Sequence, residues 1–244
     1  IASMNWHASA QCLLQAHSQS AQRHAEHSQA VLMVDIGSTT TDITVGAGQC
    51  LLPSGWTDAA RMAQGSLLYS GVVRTPLMAL GPSVHWQGQR YGLAAEYFAT
   101  TADVYRLLGQ LPAQHDMADT ADGQDKSALA SMRRLARMLG HDYTDQPEAA
   151  WLSLAQAFAA QQQERMLEVC KQQMQRAHQL GQSPNTLIAL GAGAFLAPVL
   201  AQQLGLKHVA AHSLISAQNE TLRALAEVYF PAYAVARLWQ MRAS

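Results

Sequence analysis

The first part of the chain carries a helical pattern of apolar residues and then a strand pattern. From Asn5 to Ser28 there are few helix breakers, and the apolar residues recur at spacings that one helical face can collect. The continuous apolar run from Ala30 to Asp35 is typical of a strand buried on both faces. Because a turn and an alternating Thr/apolar segment follow this run, we predict a β-hairpin over Val31–Val45.

The remainder of the chain predicts one short hairpin, several amphipathic helices and two further strands. The hairpin is predicted at Val84–Tyr91, and the polar segment Leu111–Ser127 predicts a surface loop, with a mobile lid as one option. Helices are predicted at Leu93–Leu111, Ala128–Leu139, Glu148–Leu180, Phe195–Leu204 and Asn219–Met241, the last of them interrupted at Pro231. A buried strand is predicted at Thr186–Leu190, and a last short strand is one option at Val209–Ala211.

Composition narrows the class of protein. The 244 residues are 49% hydrophobic, which is enough for a sizeable core and argues against disorder or a small disulfide-stapled fold. A net charge of -1, from 16 basic and 17 acidic residues, argues against a surface built for nucleic acid or anionic membranes. With no bilayer-length apolar run and no signal-peptide core, we expect a cytoplasmic protein whose three cysteines are buried free thiols.

The strongest motif lies between Asp35 and Asp42. A strand that ends in Asp-x-Gly and turns through hydroxyl residues presents backbone N–H and side-chain O–H donors, which is the chemistry that cradles phosphate oxygens. The candidate phosphate-binding residues are Gly37, Ser38, Thr39, Thr40 and Thr41. The two flanking carboxylates, Asp35 and Asp42, are candidate ligands of Mg²⁺, directly or through water. The alternative is an ordinary Gly-Ser-Thr hairpin turn.

A second candidate loop follows a predicted strand. Gly191, Ala192 and Gly193 stand between the strand ending at Leu190 and a predicted helix, so a ligand could approach the backbone at a helix N-terminus. This arrangement favours an anion or a nucleotide. A packing turn between strand and helix is an equally good interpretation, because the full glycine fingerprint is absent.

Two further groups of side chains are candidates for chemistry. Arg74, followed by Thr75 and Pro76, is a candidate clamp for a phosphate or carboxylate, with a solvated side chain or a structural ion pair as the alternative. Glu96 and Asp103 are seven residues apart in the predicted helix and would share one face, where either could act as a base or metal ligand. A solvated acidic face is the alternative.

An arginine-rich helix gives a further candidate anion site. Arg133, Arg134 and Arg137 follow the Asp-Gly loop, and the i, i+3 pair Arg134 and Arg137 could grip a diphosphate, with a solvated helix face as the alternative. His17, His24 and His27 superficially suggest a metal site. No third ligand is evident beside the His24/His27 pair, so surface histidines are favoured.

Six sequence blocks together resemble a known family. The blocks are NWHASAQ (5–11), VDIGSTTTDI (34–43), TDAARMAQGSLLYSGVVRTPL (57–77), EYFATTADVYRLLG (96–109), DGQDKSALASMRRLARMLGHD (122–142) and PAYAVARL (231–238). They are similar to the hydantoinase/oxoprolinase-like proteins known as tetrahydromethanopterin-linked one-carbon transfer pathway proteins. The archaeal relatives of these proteins are the furan-methanamine synthases of methanofuran biosynthesis, and the resemblance covers nearly the whole chain.

The resemblance implies a fold and a domain organisation. The fold is the α/β, actin-like ATPase fold, built from ribonuclease-H-like lobes. On this hypothesis residues 1–29 form a helix between lobes, and residues 30–244 form one lobe with a helical insertion at about 84–150. The family starts with an additional strand and an Asp-Ile-Gly-Gly phosphate loop, and neither precedes Ile1, so the N-terminal part of the first lobe is expected to be missing from this sequence.

The resemblance also implies an activity. It indicates a transferase that joins an (aminomethyl)furanmethyl diphosphate to the phenol oxygen of a (glutamyl)tyramine and releases diphosphate. The implied roles are Mg²⁺ binding by Asp35 and Asp42, phosphate clamping by Arg74 and Arg137, and a base at Glu96 or Asp103. The expected partners are small molecules, with neither nucleic acid nor a membrane, and a homodimer is one option for the assembly.

Two alternatives from other classes stay open. The same phosphate hairpin and glycine loop would suit an ATP-dependent amidohydrolase of the hydantoinase or oxoprolinase type, which makes ATP a second candidate cofactor. A non-catalytic remnant is the other alternative, because the first phosphate loop is absent. Family members also tend to carry Gly-Glu-Leu where this chain has Gly65-Ser66-Leu67, so any role of that acid is in question here.

Overall fold

The computed structural model describes residues 4–23 and 30–243. Within these ranges the chain contains both α-helices and β-strands. The helices are α1 (Asn5–Arg23), α2 (Asp58–Gln64), α3 (Thr101–Leu107), α4 (Ala128–Met138), α5 (Glu148–Gln179), α6 (Ala197–Leu204), α7 (Glu220–Val228) and α8 (Phe230–Ala243). The strands are β1 (Ala30–Ile36), β2 (Thr41–Ala47), β3 (Cys50–Leu51), β4 (Leu67–Leu68), β5 (Ser83–Trp86), β6 (Gln89–Gly92), β7 (Pro184–Leu190) and β8 (Lys207–Ala210). The chain is therefore an α/β protein.

The chain divides into two compact units. Unit 1 contains residues 1–36, 41–68 and 167–244, and unit 2 contains residues 37–40 and 69–166. Helix α5 contributes its first part to unit 2 and its last part to unit 1. The predicted lobe and insertion boundaries stay a prediction.

Unit 1 is built on a mixed sheet with the order β3-β2-β1-β7-β8, and β4 also pairs with β2, at Thr41 and Asp42. Strand β1 runs antiparallel to β2 and parallel to β7, and β7 runs parallel to β8. The central strands β1 and β7 are nearly continuous runs of buried apolar residues, as expected for strands covered on both faces. The predicted Val31–Val45 hairpin and the predicted Thr186–Leu190 strand are confirmed.

Helices α1 and α8 supply much of the core of unit 1. On α1 the side chains of Ala10, Leu13 and Leu14 are buried, at the i, i+3, i+4 spacing of one helical face. They join Val31 and Met33 of β1 in one apolar cluster that also includes Phe230 and Ala234 of α8. The predicted first helix is confirmed to Arg23, and residues 24–28 of that prediction lie outside the described ranges.

Unit 2 combines the β5–β6 hairpin with helices α3, α4 and the first part of α5. The predicted hairpin at Val84–Tyr91 is confirmed. Trp86 stacks on Trp151 with ring centroids 5.5 Å apart, and its indole N–H donates to the Ala150 carbonyl at 3.1 Å. The hairpin is thereby fixed to α5.

The predicted start of one helix and the predicted burial of Cys50 were wrong. Residues 93–100 are not helical, because their backbone groups bond to other elements: Ala94 N–H donates to the Met138 carbonyl, and the Ala99 carbonyl accepts from Leu77. The helix begins only at Thr101, where Thr100 and Asp103 form a capping box. Cys50 is exposed, whereas Cys12 and Cys170 are buried as predicted.

The remaining helix predictions are largely confirmed. Helices α4 and α5 coincide with the predicted amphipathic stretches to within one residue. The C-terminal helix is broken as predicted, since α7 ends at Val228 and α8 begins at Phe230, next to Pro231. No helix in the part of the chain that the structure covers is both long and apolar enough to traverse a bilayer.

Candidate active site

Two aspartates face each other at the carboxyl end of β1. Asp35 is the Cα partner of Asp42 in the antiparallel β1–β2 ladder, so both side chains lie on the same face of the sheet. On its other side Asp35 is paired with Leu190, the last residue of the parallel strand β7. In open α/β sheets the carboxyl ends of the strands are the usual place for ligands. The structure thus places both predicted metal ligands at this edge.

The two carboxylates differ in their surroundings. Burial, and then the charge of Asp42, raise the pKa of Asp35 to about 7. The pKa of Asp42 is also raised, mainly by burial, although its ion pair with Arg61 opposes the shift. Arg61 Nη1 lies 2.7 Å from Asp42 Oδ1, and the Arg61 side chain is almost wholly buried. One carboxylate is therefore paired with an arginine, and the other has a pKa close to neutral pH.

The predicted glycine loop closes on the same strand end. Gly193 N–H donates to the Ile36 carbonyl at 2.8 Å. A Cβ placed on Gly191 would lie 2.4 Å from the Ile36 carbonyl oxygen and 2.6 Å from Asp35 Oδ1, and Gly191 has a φ of +82°. Only glycine satisfies both conditions. Gly191 and Ala192 thus bring the strand-to-helix turn against Asp35. This holds for both predicted roles of the turn, a ligand loop and a packing turn.

Gly191→Ala is expected to destabilise the protein by about 1–3 kcal/mol, because a side chain at positive φ is strained and this one also meets the Ile36 carbonyl. Urea denaturation would measure the loss. Gly205→Ala is the matched control, since Gly205 has a similar φ of +68° and nothing lies within 4 Å of its added Cβ. An equal loss in both variants would show that the close approach to Asp35 and Ile36 has no energetic weight.

The turn that joins β1 to β2, residues 37–40, is held in place by residues 71–74 of the same unit. Val72 N–H donates to the Gly37 carbonyl at 3.1 Å, and Arg74 N–H donates to the Ser38 carbonyl at 2.8 Å. A Cβ on Gly71 would lie 2.4 Å from the backbone of Ser38 and Thr39, so glycine is required for this packing. The carbonyl groups of the turn are thus directed toward residues 71–74.

The N–H groups of this turn have fewer partners. Gly37 N–H donates to the Thr40 carbonyl at 2.8 Å, which closes the turn. The N–H groups of Ser38, Thr39 and Thr40 donate to no acceptor within the described ranges, and all three residues are partly exposed. Free N–H groups in a tight turn are the donors that a phosphate needs. The side chain of Arg74 is exposed and forms no ion pair with the residues that the structure covers.

The two predicted bases do not share a helical face, so that expectation was wrong. Glu96 precedes α3 and is exposed, with Oε1 accepting from Tyr97 N–H at 2.9 Å. Asp103 is fully buried, and its Oδ1 lies 2.8 Å from Arg134 Nη2 and 2.9 Å from Arg106 Nη1. The Asp103 carboxylate therefore has a structural role as an ion-pair centre and helix cap.

Arg134 and Arg137 do not form the predicted diphosphate site, in which both guanidinium groups would be open to a ligand. Arg134 is wholly buried and its donors bond to Asp103, Asp122 and Ser131. Arg137 is half-exposed and lies 3.1 Å from Asp122 Oδ2. Arg134 thus has no donor facing solvent, because Asp103 of α3 and Asp122 of the loop before α4 supply carboxylates that a helix-face argument does not consider. Arg137 keeps its predicted role as a candidate clamp.

No larger metal cluster accompanies the aspartate pair. Across residues 4–23 and 30–243, no three His, Cys, Asp or Glu side chains are grouped so that they could hold an ion. His24 and His27 lie outside these ranges, so the histidine prediction is not tested for them. Mg²⁺ commonly uses one or two carboxylates together with waters and substrate phosphates, and the Asp35/Asp42 pair fits that partial donor set.

Three residues of unit 1 that lie beside the aspartate pair were not predicted as site residues from the sequence. Arg61 pairs with Asp42 and stacks on the indole ring of Trp6 at 3.9 Å, and Ser9 is buried one turn further along α1. Each lies within one of the quoted sequence blocks, which was the available signal. Ser66 is buried, and its Oγ lies 2.9 Å from Ser54 Oγ.

A comparison with protein families shows which family the chain belongs to. The family described as Hydantoinase/oxoprolinase matches residues 5–229, which is most of the chain. The chain belongs to the hydantoinase/oxoprolinase family. The family resemblance predicted from the six blocks is confirmed, and this hydantoinase/oxoprolinase-family chain carries its aspartate pair and glycine loop within the matched region.

Curated relatives of this family member carry a specific name. Two archaeal proteins are called (4-{4-[2-(gamma-L-glutamylamino)ethyl]phenoxymethyl}furan-2-yl)methanamine synthase. The protein of Methanocaldococcus jannaschii is 36% identical over 111 residues, which are 46% of this chain and 33% of the relative. The protein of Methanococcus vannielii is 34% identical over 112 residues, 46% of this chain and 50% of the relative. The matched region thus spans half or less of each relative.

A distant likeness to a solved structure adds little. A chain of a PilM-PilN type IV pilus biogenesis complex aligns with 92% of this hydantoinase/oxoprolinase-family chain and 50% of its own length. The two are 14% identical and the TM-score is 0.40. A likeness of this size is too weak to assign a fold.

Proposed function

We propose that this chain acts in a transferase of methanofuran-type cofactor biosynthesis, which condenses an (aminomethyl)furanmethyl diphosphate with the phenol of a (glutamyl)tyramine. The phenol oxygen forms a bond to the furylmethyl carbon, the bond from that carbon to the diphosphate oxygen breaks, and the phenol proton passes to a base. The products are an aryl alkyl ether and diphosphate. The two curated relatives are named as a phenoxymethyl-furan methanamine synthase, and this name supports the reaction class.

The observation that carries the proposal is the Asp35/Asp42 pair at the carboxyl end of β1. Two carboxylates on one face, with the pKa of Asp35 raised to about 7, form a position where a divalent cation would relieve electrostatic repulsion. We assign Asp35 and Asp42 to Mg²⁺, which would supply charge neutralisation for a departing diphosphate. The unbonded N–H groups of Ser38, Thr39 and Thr40 are assigned to phosphate oxygens.

The remaining roles follow from exposure. Arg74 and Arg137 have guanidinium groups that reach solvent, so they are the proposed phosphate clamps. Glu96 is the proposed base, because it is exposed and Asp103 is occupied by Arg106 and Arg134. Mixed pairing of β1, antiparallel to β2 and parallel to β7, supports the proposal of an actin-like, ribonuclease-H-like lobe.

An ATP-dependent hydrolase is the second candidate. The family description, Hydantoinase/oxoprolinase, and the Gly191–Gly193 turn favour it, since such a turn accommodates a nucleotide at a helix N-terminus. The two candidates make opposite demands on ATP, because ether formation releases diphosphate from the furan substrate and ring-amide hydrolysis consumes the nucleotide.

One experiment separates the two functions. The purified protein is incubated with Mg²⁺, the furylmethyl diphosphate and γ-glutamyltyramine, without ATP, and the ether is detected by mass spectrometry alongside released diphosphate. We expect both products in equal amounts. Their absence, together with ATP-dependent opening of a hydantoin or 5-oxoproline ring, would replace the transferase by the hydrolase.

Arg74→Ala is expected to lower turnover about 100-fold and to leave the melting temperature within about a degree, because an exposed guanidinium contributes to transition-state charge and not to packing. Steady-state kinetics and thermal denaturation measure the two quantities. Arg133→Ala, another exposed arginine of the same unit, is the control and should keep full activity. Wild-type turnover in Arg74→Ala would remove this residue from the mechanism.

A further inference from the structure

A small cavity lies within unit 1 next to the aspartate pair. Its lining includes Trp6 and Ser9 of α1, Asp35 of β1 and Asp42 of β2. Its volume is about 10 Å³, which is about what one water molecule needs. No residue outside unit 1 contributes to it.

Two buried polar atoms of residues that line this cavity have no hydrogen-bond partner among residues 4–23 and 30–243. They are Trp6 Nε1 and Ser9 Oγ, and their residues are 8% and 2% exposed. Buried N–H and O–H groups in native proteins are nearly always bonded to protein or to ordered water, since an unmade bond is costly. Both atoms therefore need a hydrogen-bond partner, and the cavity that their residues line has room for one.

The chemistry of the lining identifies that partner. The indole N–H can only donate, which disfavours a cation, and two carboxylates disfavour an anion. A neutral molecule that both accepts and donates fits all four side chains. At this volume the molecule is water.

We propose that the cavity holds one ordered water, which accepts a hydrogen bond from Trp6 Nε1, exchanges one with Ser9 Oγ and donates to the Asp35/Asp42 pair. Trp6 and Ser9 are then positioning residues: they act through the water on the orientation of the two carboxylates. This last step rests on the proposed function, in which the same carboxylates hold Mg²⁺.

Arg61 fixes the position of the Trp6 indole beside the proposed water. Its guanidinium stacks on the Trp6 ring at 3.9 Å and pairs with Asp42, so the indole is fixed by a contact that does not involve its N–H. Trp6→Phe removes the N–H and keeps an aromatic face for Arg61. Ser9→Ala removes the hydroxyl and adds no bulk.

A crystal structure of the full chain at a resolution that shows ordered water tests the site itself. We expect density for one water bonded to Trp6 and Ser9 in the wild type, and its loss or displacement in Ser9→Ala, with a changed side-chain orientation of Asp35 or Asp42. An empty cavity in the wild type would overturn the water site. Carboxylates that keep their orientation in Ser9→Ala would overturn the positioning role.

Calorimetric titration with Mg²⁺ and inorganic diphosphate tests the consequence. In Trp6→Phe and in Ser9→Ala the affinity for Mg²⁺ and diphosphate should fall about tenfold, which is the typical effect of removing a group that orients a metal ligand. Ser18→Ala is the matched control, because Ser18 is also buried on α1 but bonds to the Gly48 carbonyl. It should lower the melting temperature without changing the affinity.

The outcomes separate this proposal from the proposed function. Equal affinity loss in Ser18→Ala and Ser9→Ala would mean a general structural effect and would overturn the positioning role. A wild type that binds no Mg²⁺, but whose cavity contains the water and whose carboxylates shift in Ser9→Ala, would overturn the metal assignment and leave the inference standing.

Discussion

Asp35→Asn is expected to make the protein more stable at neutral pH and to abolish the proposed magnesium-dependent binding of diphosphate. Burial and the neighbouring Asp42 raise the pKa of Asp35 to about 7, against a value near 4 in the unfolded chain. The folded state therefore holds a proton that the unfolded state releases, and wild-type stability falls as pH rises from about 4 to about 7. Asparagine removes that loss of stability, up to about 4 kcal/mol, and removes one of the two proposed Mg²⁺ ligands.

Urea denaturation of both proteins at several pH values between 4 and 8 would measure this difference, and calorimetry with Mg²⁺ and diphosphate would measure binding. The free-energy gap between variant and wild type should widen up to about pH 7 and then stay constant. Asp119→Asn, at an exposed position in the loop before α4, should show neither effect. A gap that does not change with pH would contradict the protonated Asp35, and unchanged binding would contradict its role as a ligand.

Asp103→Ala is expected to destabilise unit 2 by about 3–5 kcal/mol, the usual cost of breaking a buried ion pair on one side. The change leaves the wholly buried Arg134 with Asp122 as its remaining carboxylate, and it deprives Arg106 of one of its two carboxylates. It also removes the cap on Thr100 N–H, which Asp103 Oδ2 accepts at 3.1 Å. The denaturation midpoint in urea is the measurement.

Glu96→Ala is the companion variant, since Glu96 was the other predicted base and is exposed. It should change stability by less than about 0.5 kcal/mol and lower turnover about 100-fold or more if it removes the phenol proton. The opposite pattern, with a stable Asp103→Ala that has lost activity, would assign the base to Asp103 and contradict its structural role.

Features fixed by local patterns were predictable from the sequence. The apolar run of β1, the alternation in β2 and the strand before Gly191 each follow from the burial of neighbouring residues, and the structure has all three. The Asp35/Asp42 pair was predictable for the same reason, because a hairpin across Gly37–Thr40 places its flanking residues opposite each other.

Features that depend on distant partners were not predictable. Residues 93–100 resemble a helix in composition, but their backbone bonds to Leu77 and Met138 favour an extended path. Neither Arg61 nor Arg134 is distinguishable in sequence from a solvated arginine, because the carboxylates that neutralise them come from other elements. Arg74, by contrast, is an exposed arginine.

The parallel pairing of β1 with β7 has a consequence for folding. Its partners, such as Asp35 and Leu190, are separated by about 150 residues, and all of residues 69–166 lie between them in the chain. Contacts at such separation carry a large loop-closure entropy and form slowly, whereas the β1–β2 hairpin is local. The two carboxylates should therefore meet early, and the glycine turn should reach them only when most of the chain is already ordered.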